Sequence, residues 1–231
     1  GERKLSRETS FIISQILSDD GARSMVFGRG SKLVIKDHPE YFLKSTVESE
    51  AIDDITQIEV VRSLIDKLPS VSPLKNLNFT YFYQKDIISS LSTLKKENIS
   101  PTRFEELIKF AADFVTLAIP VAEKLQNIRA TAKAETEITD LISSLSTNPK
   151  INSLYQIRLQ YFLNLYQSEA ISLSELKKNI KDFIENLNNN LPKIRDLSII
   201  YRSYQQTLLE RGLYDYEDMI LWVISVFQTH P

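Results

Sequence analysis

Three residues near the end of this chain form an acidic group of a type that can do chemistry: Asp215, Glu217 and Asp218. Three carboxylates at the start of a helix are able to hold a metal ion. Acids in this position also cap the helix and interact favourably with its dipole, and neither role needs a ligand. Because acids at the start of a helix are more often caps than metal ligands, the pattern favours a helix cap.

A second candidate is the run of residues 28–32, Gly-Arg-Gly-Ser-Lys, which has the glycines and the lysine of a phosphate-binding loop. A P-loop requires a second glycine five residues after the first, followed by lysine and then serine or threonine. Position 33 is Leu33, so the motif fails and the run predicts a plain turn.

Composition excludes most other catalytic sites. The chain has 231 residues, no cysteine and two histidines, His38 and His230. Without cysteine there is no thiolate nucleophile and no zinc finger of the cysteine type. Two histidines at distant positions supply neither a multi-histidine metal site nor a Ser-His-Asp triad. We therefore predict no catalytic residue, no metal and no cofactor in this chain.

Two further groups suit binding, and each has two interpretations. The aromatics of 79–83 are able to stack on nucleic-acid bases or to pack a loop against a core. Residues 177–211 carry seven bases and four acids, which suits phosphate contacts or an ordinary solvated helix face. The net charge of −2 supplies no general attraction for nucleic acid, so DNA binding would need a local patch.

The small number of glycines indicates that helices must position these groups. Only five glycines occur, three of them between positions 21 and 30, and Gly212 is the only one after position 30. A chain this poor in glycine and rich in Leu, Ile, Lys, Glu and Ser is typical of helices. We predict an all-α fold, an irregular multi-helix bundle with at most one short hairpin near residues 25–35.

Apolar spacing predicts the individual helices. They cover 53–68, 84–96, a long stretch from Pro101 that Pro120 kinks or divides, and further helices over 121–211. Ser172 and Glu175 form a capping box. The asparagines at 188–190 end one helix and Pro192 opens the next. One of these later helices is indicated by residues that repeat at helical spacing, Leu154, Ile157, Tyr161 and Leu165.

The last helix, predicted over residues 216–227 with Asp215 as its cap, is apolar around almost its whole circumference. A helix of this kind is buried on all sides or lies against a partner. We expect one side to pack on the helix at 193–211 through Met219, Ile220, Val223 and Phe227. The exposed remainder, Leu221, Trp222 and Val226, then predicts self-association through this helix.

Two segments carry a resemblance to a known family. The first is residues 88–101, Ile-Ser-Ser-Leu-Ser-Thr-Leu-Lys-Lys-Glu-Asn-Ile-Ser-Pro. The second is Tyr-Arg-Ser-Tyr-Gln-Gln-Thr-Leu at 201–208, followed by Tyr-Asp-Tyr-Glu-Asp-Met-Ile at 214–220. In this order they resemble UvrD/Rep-type superfamily 1 ATP-dependent DNA helicases. The first segment is similar to part of the inserted helical subdomain 1B, and the second to the return of the chain to the first motor domain.

The resemblance implies a function for several residues. Subdomain 1B holds DNA near the motor, which makes Lys95, with Lys96 beside it, the expected phosphate contact. Asp215 and Asp218 would cap and brace the junction helix, and Trp222 and Phe227 would pack on the motor-domain sheet. ATP and magnesium are implied for the parent helicase only, since the ATP-binding loop and the second-motor motifs are not in this sequence.

The expected organisation follows from the same comparison. Residues 1–36 form an N-terminal segment of uncertain role, and residues 31–42 resemble a helix of the family, against the local hairpin signal. Residues 37–231 resemble subdomain 1B, with a helical insertion at about 105–195. Expected partners are DNA and the motor domains, with no membrane and a cytoplasmic, nucleoid-associated location. The alternative is a helical protein-interaction module with no nucleic-acid role, docking through its last helix.

Overall fold

The computed structural model describes residues 50–75, 78–129, 131, 133–149 and 151–229, with side chains up to residue 226. Within these ranges the chain forms seven helices and one pair of two-residue strands, which confirms the predicted all-α class. None of these helices is long and apolar enough to cross a membrane. The predictions for the N-terminal segment, the hairpin, His38 and His230 lie outside the described residues.

In chain order the elements are β1 (Glu50–Ala51), α1 (Asp54–Lys67), α2 (Gln84–Lys96), α3 (Pro101–Asn127), α4 (Ala134–Ser146), α5 (Ser153–Gln167), α6 (Leu173–Glu210), β2 (Leu213–Tyr214) and α7 (Tyr216–Thr229).

The described residues fall into two compact units. The first unit comprises 50–104 and 195–229, and the second comprises 105–194. Helices α3 and α6 contribute to both units, because the boundaries fall inside these two helices. The second unit covers the residues that the sequence sets apart as an insertion.

In the first unit, α2 is the helix on which both α1 and α7 pack. Helix α1 begins where predicted, because the Asp53 carboxylate accepts the backbone N–H groups of Ile55 and Thr56 at 2.8 Å. The side chains that form this core are buried on all the participating helices: Val61, Leu64, Ile65, Ile87, Leu91, Leu94, Phe104, Ile200, Tyr201, Tyr204, Leu208, Met219 and Val223.

The short parallel pair β1–β2 joins the start of the described chain to the connection between α6 and α7. The Glu50 N–H donates to the Gly212 carbonyl and the Ile52 N–H to the Tyr214 carbonyl, both at 2.8 Å. Gly212 has a φ of 62°, in the left-handed region that favours glycine. Helix α6 therefore ends at the predicted glycine, and the strand that follows sets where α7 starts.

In the second unit, α4 packs on α5. Phe114 of α3 lies at the centre of its core, stacked at 4.5 Å on Tyr155 and 5.8 Å from the ring of Phe183. The predicted capping box is present, since Ser172 and Glu175 exchange side-chain and backbone hydrogen bonds at 2.8 and 3.2 Å.

Neither proline divides a helix, which contradicts the predicted break at Pro192 and one of the two alternatives predicted for Pro120, a kink or a division. Pro120 lies inside α3 and Pro192 inside α6, and both helices continue through them. A proline removes the N–H that would bond the carbonyl four residues earlier. Those carbonyls belong to Thr116 and Asn188, which are both exposed, so water can satisfy them.

The helix predicted from the spacing of Leu154, Ile157, Tyr161 and Leu165 is present as α5, but a different set of its apolar residues is buried. The residues of α5 that are buried are Tyr155, Leu159, Phe162 and Leu163. Ile157 and Tyr161, two of the residues at the predicted spacing, are 60% and 50% exposed. The sequence of α5 carries two apolar stripes at helical spacing, and packing on α4 selects the other one.

Truncating Phe114 tests the core of the second unit. We expect Phe114→Ala to lower the free energy of unfolding by about 3–5 kcal/mol, because it removes a fully buried ring and leaves a cavity. Urea unfolding followed by circular dichroism at 222 nm measures the loss. Phe79→Ala deletes the same ring where it is 71% exposed, and serves as the matched control. Equal losses in the two variants would contradict this core assignment.

Candidate functional site

The start of α7 is held by two aspartates that cap each other's backbone. The Asp218 N–H donates to Asp215 Oδ1 at 2.9 Å, and the Asp215 N–H donates to Asp218 Oδ2 at 3.2 Å. This is the arrangement of a capping box, in which residues three apart satisfy otherwise unpaired helix donors. Each carboxylate thereby keeps one oxygen free, and both residues are buried.

The two free oxygens bind the same lysine. Lys95, in the last turn of α2, donates from Nζ to Asp215 Oδ2 and, at 2.8 Å, to Asp218 Oδ1. Its side chain is 0% exposed. A buried ammonium is tolerated only where opposite charges and acceptors surround it, and here two carboxylates do so.

Helix α6 completes the site with a tyrosine and a glutamine from consecutive positions. The Tyr204 hydroxyl donates to Asp215 Oδ2 at 3.3 Å, and its ring lies 5.1 Å from Lys95 Nζ. Gln205 Nε2 donates to Asp218 Oδ1 at 3.2 Å. We call Lys95, Tyr204, Gln205, Asp215 and Asp218 the junction cluster, because it joins α2, α6 and α7.

Hydrogen bonds around the junction cluster extend it to α1 and to the start of α3. Gln57 of α1 donates from Nε2 to the Tyr204 hydroxyl at 2.9 Å. The Tyr201 hydroxyl, one turn earlier on α6, donates to the Ile99 carbonyl at 2.8 Å. The Tyr201 ring also contacts Phe104 edge-on, with ring centroids 6.5 Å apart. Hydrogen bonds or ring contacts therefore link every helix of the first unit to the junction cluster or to Tyr201.

The electrostatics of the junction cluster are unbalanced, because one ammonium faces two carboxylates. Burial raises the pKa of Asp215 to about 6, although Lys95 acts to lower it, and the nearby Asp218 charge raises it further. Burial and the Asp215 charge also raise the pKa of the Tyr204 hydroxyl, which stays protonated and able to donate.

The acidic group acts as a cap and an ion-pair partner. Its two aspartates use all four oxygens on backbone N–H groups, Lys95, Tyr204 and Gln205. The third acid, Glu217, accepts instead from the Ser92 hydroxyl at 2.6 Å. Among the described residues, no group of three His, Cys, Asp or Glu side chains is placed to hold a metal.

The expectation that Lys95 contacts a DNA phosphate is wrong for this structure. Its ammonium lies out of reach of solvent and is already paired with two carboxylates. Lys96, the other lysine singled out, has a side chain that is 62% exposed and lies 3.8 Å from Glu217. Its contact with DNA stays a prediction.

The last helix differs from its prediction in partner and exposure. It packs on α2, and its first turn also bonds Tyr204 and Gln205 of the helix at 193–211, which was the partner expected. Leu221, Trp222 and Val226 are half-buried, where exposure was expected. The Trp222 ring lies 5.2 Å from that of Tyr214. The side chain of Phe227 lies outside the described residues.

The aromatic residues of the loop before α2 differ in whether they pack on the protein or face solvent. The Tyr81 hydroxyl donates to the Asp66 carboxylate at 3.0 Å, and the guanidinium of Arg62 lies 5.0 Å from the Tyr81 ring. Phe79 and Phe82 are 71% and 53% exposed. Packing therefore accounts for Tyr81, and base stacking stays a prediction for the other two.

Sequence reasoning missed the site roles of Tyr204, Gln205 and Gln57. Tyr204 and Gln205 belong to the Tyr-x-x-Tyr-Gln part of residues 201–208. The resemblance of that segment included both residues but assigned neither a chemical role. Gln57 carried no signal, since a glutamine on an amphipathic helix is ordinary.

Removing the buried ammonium tests the junction cluster. We expect Lys95→Ala to lower the free energy of unfolding by about 3–5 kcal/mol, because two carboxylates stay buried without their counter-charge. Trp222 is the only tryptophan, so its fluorescence during urea unfolding reports on the first unit. The adjacent Lys96→Ala should cost less than about 0.5 kcal/mol, as for an exposed side chain. Similar costs for the two lysines would contradict the cluster.

The pH dependence tests the unbalanced charge. Asp215 has its pKa raised in the folded state from 3.8 to about 6, so the folded state binds the proton more tightly. Its stabilising effect is fully present below pH 3.8 and is lost as pH rises through about 6. Between pH 5 and 7.5 we expect the free energy of unfolding to fall by about 1 kcal/mol more in the wild type than in Asp215→Asn. Parallel profiles from Trp222 fluorescence would show that Asp215 does not titrate in this range.

Comparison of the chain with models of protein families, with curated proteins and with solved structures found no match in any of the three.

Proposed function

We propose that this chain is a DNA-contacting accessory domain, similar to subdomain 1B, of an ATP-dependent DNA helicase that acts in DNA unwinding or repair. ATP and magnesium would be bound by the motor domains of the parent protein. The observation that carries the proposal is the convergence of the segments on which the resemblance rests.

Those segments are distant in sequence, and each supplies part of the junction cluster. Residues 88–101 contribute Lys95, residues 201–208 contribute Tyr204 and Gln205, and residues 214–220 contribute Asp215 and Asp218. Segments that matched a family only by chance would have no reason to meet through the very side chains that define them. Their meeting supports a shared architecture.

The junction cluster would serve the helicase as a brace. In the family, the chain returns to the first motor domain through the helix that follows the second segment. Here that helix is α7, and its first turn is held by Lys95 of α2 and by Tyr204 and Gln205 of α6. A force transmitted along α7 would therefore reach α2 and α6 through charge-assisted hydrogen bonds.

DNA contact would then begin at Lys96. Its ammonium is at the end of α2, exposed and only loosely opposed by Glu217 at 3.8 Å. Glu217 also accepts a hydrogen bond from Ser92, so a phosphate would have to compete only with a long, partly solvated ion pair for this lysine. A weak, salt-sensitive interaction of three or four phosphate contacts is expected, since the net charge of −2 adds no general attraction.

The alternative, a protein-interaction module that docks through α7, has less support. Its basis was an exposed apolar side of that helix, and Trp222 is half-buried beside Tyr214.

Salt dependence tests the DNA contact. For a fluorescently labelled duplex with a single-stranded tail, we expect a slope of log K against log salt of about −3. Lys96→Ala should make the slope shallower by about one unit, because one phosphate contact is lost. Fluorescence anisotropy across a salt series measures both.

Lys85→Ala is the matched control, since it removes an exposed lysine from the first turn of the same helix. It should leave the slope unchanged. Equal effects of the two lysines would remove Lys96 from the DNA contacts. A wild-type chain with no measurable affinity at low salt would overturn the proposed function.

A further inference from the structure

Helix α5 of the second unit presents a second apolar face away from its core. Tyr155, Leu159 and Phe162 are buried, whereas Ile157 and Tyr161, four residues apart, are 60% and 50% exposed. Leu165, a further four residues on, is half-buried. These three lie along one line of the helix, since residues at this spacing share a face.

This outer face lacks the charges that normally cover a solvated helix. Between Ser153 and Gln167 the sequence contains no acid and a single base, Arg158. The polar residues beside Tyr161 are engaged with each other, because Gln160 Nε2 donates to the Asn164 side-chain oxygen at 2.9 Å. An uncharged apolar line on an exposed helix is typical of a contact surface.

Arg158 adds a second, independent observation. Its guanidinium lies over the ring of Phe162 at 4.8 Å and near that of Tyr161 at 5.5 Å. Its Nε is buried and has no hydrogen-bond partner, and it is the only side-chain nitrogen or oxygen in that state among the described residues. A buried donor without an acceptor is rare in folded proteins, and it marks a position where an acceptor is expected.

We propose that the outer face of α5, formed by Ile157, Arg158, Tyr161 and Leu165, docks an acidic amphipathic helix of a partner protein. The partner's apolar residues pack along Ile157, Tyr161 and Leu165, and a carboxylate accepts from Arg158. The proposal concerns the second unit alone and does not depend on the proposed DNA contact.

Charge favours an acidic helix over two other possible occupants of this face, a second copy of the chain and a nucleic acid. A second copy of the chain would offer no carboxylate from its own α5 and would bring two Arg158 guanidinium groups together. A nucleic acid requires several cations along its backbone, and α5 supplies one. An acidic helix matches both the single cation and the apolar line.

The test uses two synthetic helical peptides of identical apolar pattern, with leucines at i, i+3, i+4 and i+7. One carries glutamate at its other positions and the second carries lysine in their place. Fluorescence anisotropy with the whole chain should show binding of the glutamate peptide and at least about tenfold weaker binding of the lysine peptide. Arg158→Gln should weaken the glutamate peptide about tenfold and reduce the difference between the two.

Ile157→Glu should abolish binding, whereas Ile199→Glu makes the same change at a 54% exposed site of the first unit and should have no effect. Neither substitution removes a buried side chain, so both variants should keep the wild-type circular dichroism. Failure of the glutamate peptide to bind, equal binding of both peptides, or equal effects of the two isoleucine variants would overturn the proposal. So would a dimer in sedimentation that Ile157→Glu dissociates, or displacement of the peptide by a single-stranded oligonucleotide.

Discussion

The burial of one ammonium group, that of Lys95, is the constraint on which the first unit depends. An ammonium removed from water is stable in a protein only when acceptors of opposite charge surround it. Lys95 obtains them from Asp215 and Asp218, which are themselves buried. The position of α2 in the first unit is therefore linked to that of α7 through this ion pair. Tyr204 and Gln205 of α6 supply the remaining hydrogen bonds, so that three helices assemble as one unit.

The same cluster determines which parts of the surface face water. Lys96 follows Lys95 directly on α2, and one residue turns a helix by about 100 degrees. One lysine is consequently enclosed by carboxylates and the other is exposed at the rim, near Glu217. The Ser92 hydroxyl in turn donates a hydrogen bond to the Glu217 carboxylate. The proposed DNA contact and the brace of α7 thus depend on adjacent residues of a single helix turn, and mutations that separate the two roles are available.

The second unit has a surface of a different kind. Its helix α5 is almost without charge, and its one cation lies against two aromatic rings with a donor unsatisfied. In the proposed complex, a face of this composition would discriminate among partners by shape and by a single charge. The contact surfaces proposed for the two units therefore differ, with an exposed lysine at the end of α2 in one and an apolar line with an arginine on α5 in the other.

The sequence by itself determined the features that depend on local interactions. It predicted the all-α class, the bounds of α2, the end of α6 near Gly212, the capping box at Ser172 and the cap at Asp215, because propensity, glycine and capping act within a few residues. The family resemblance of its segments also drew attention to the residues that form the junction cluster. Only the tertiary structure decided that Lys95 is buried and Lys96 exposed, since the partner Asp215 lies 120 positions away and the two lysines are alike locally. The same holds for the choice between the two apolar stripes of α5, and for Pro120 and Pro192, which helices tolerate when the freed carbonyl faces water. Burial depends on residues distant in sequence, and a local pattern does not contain them.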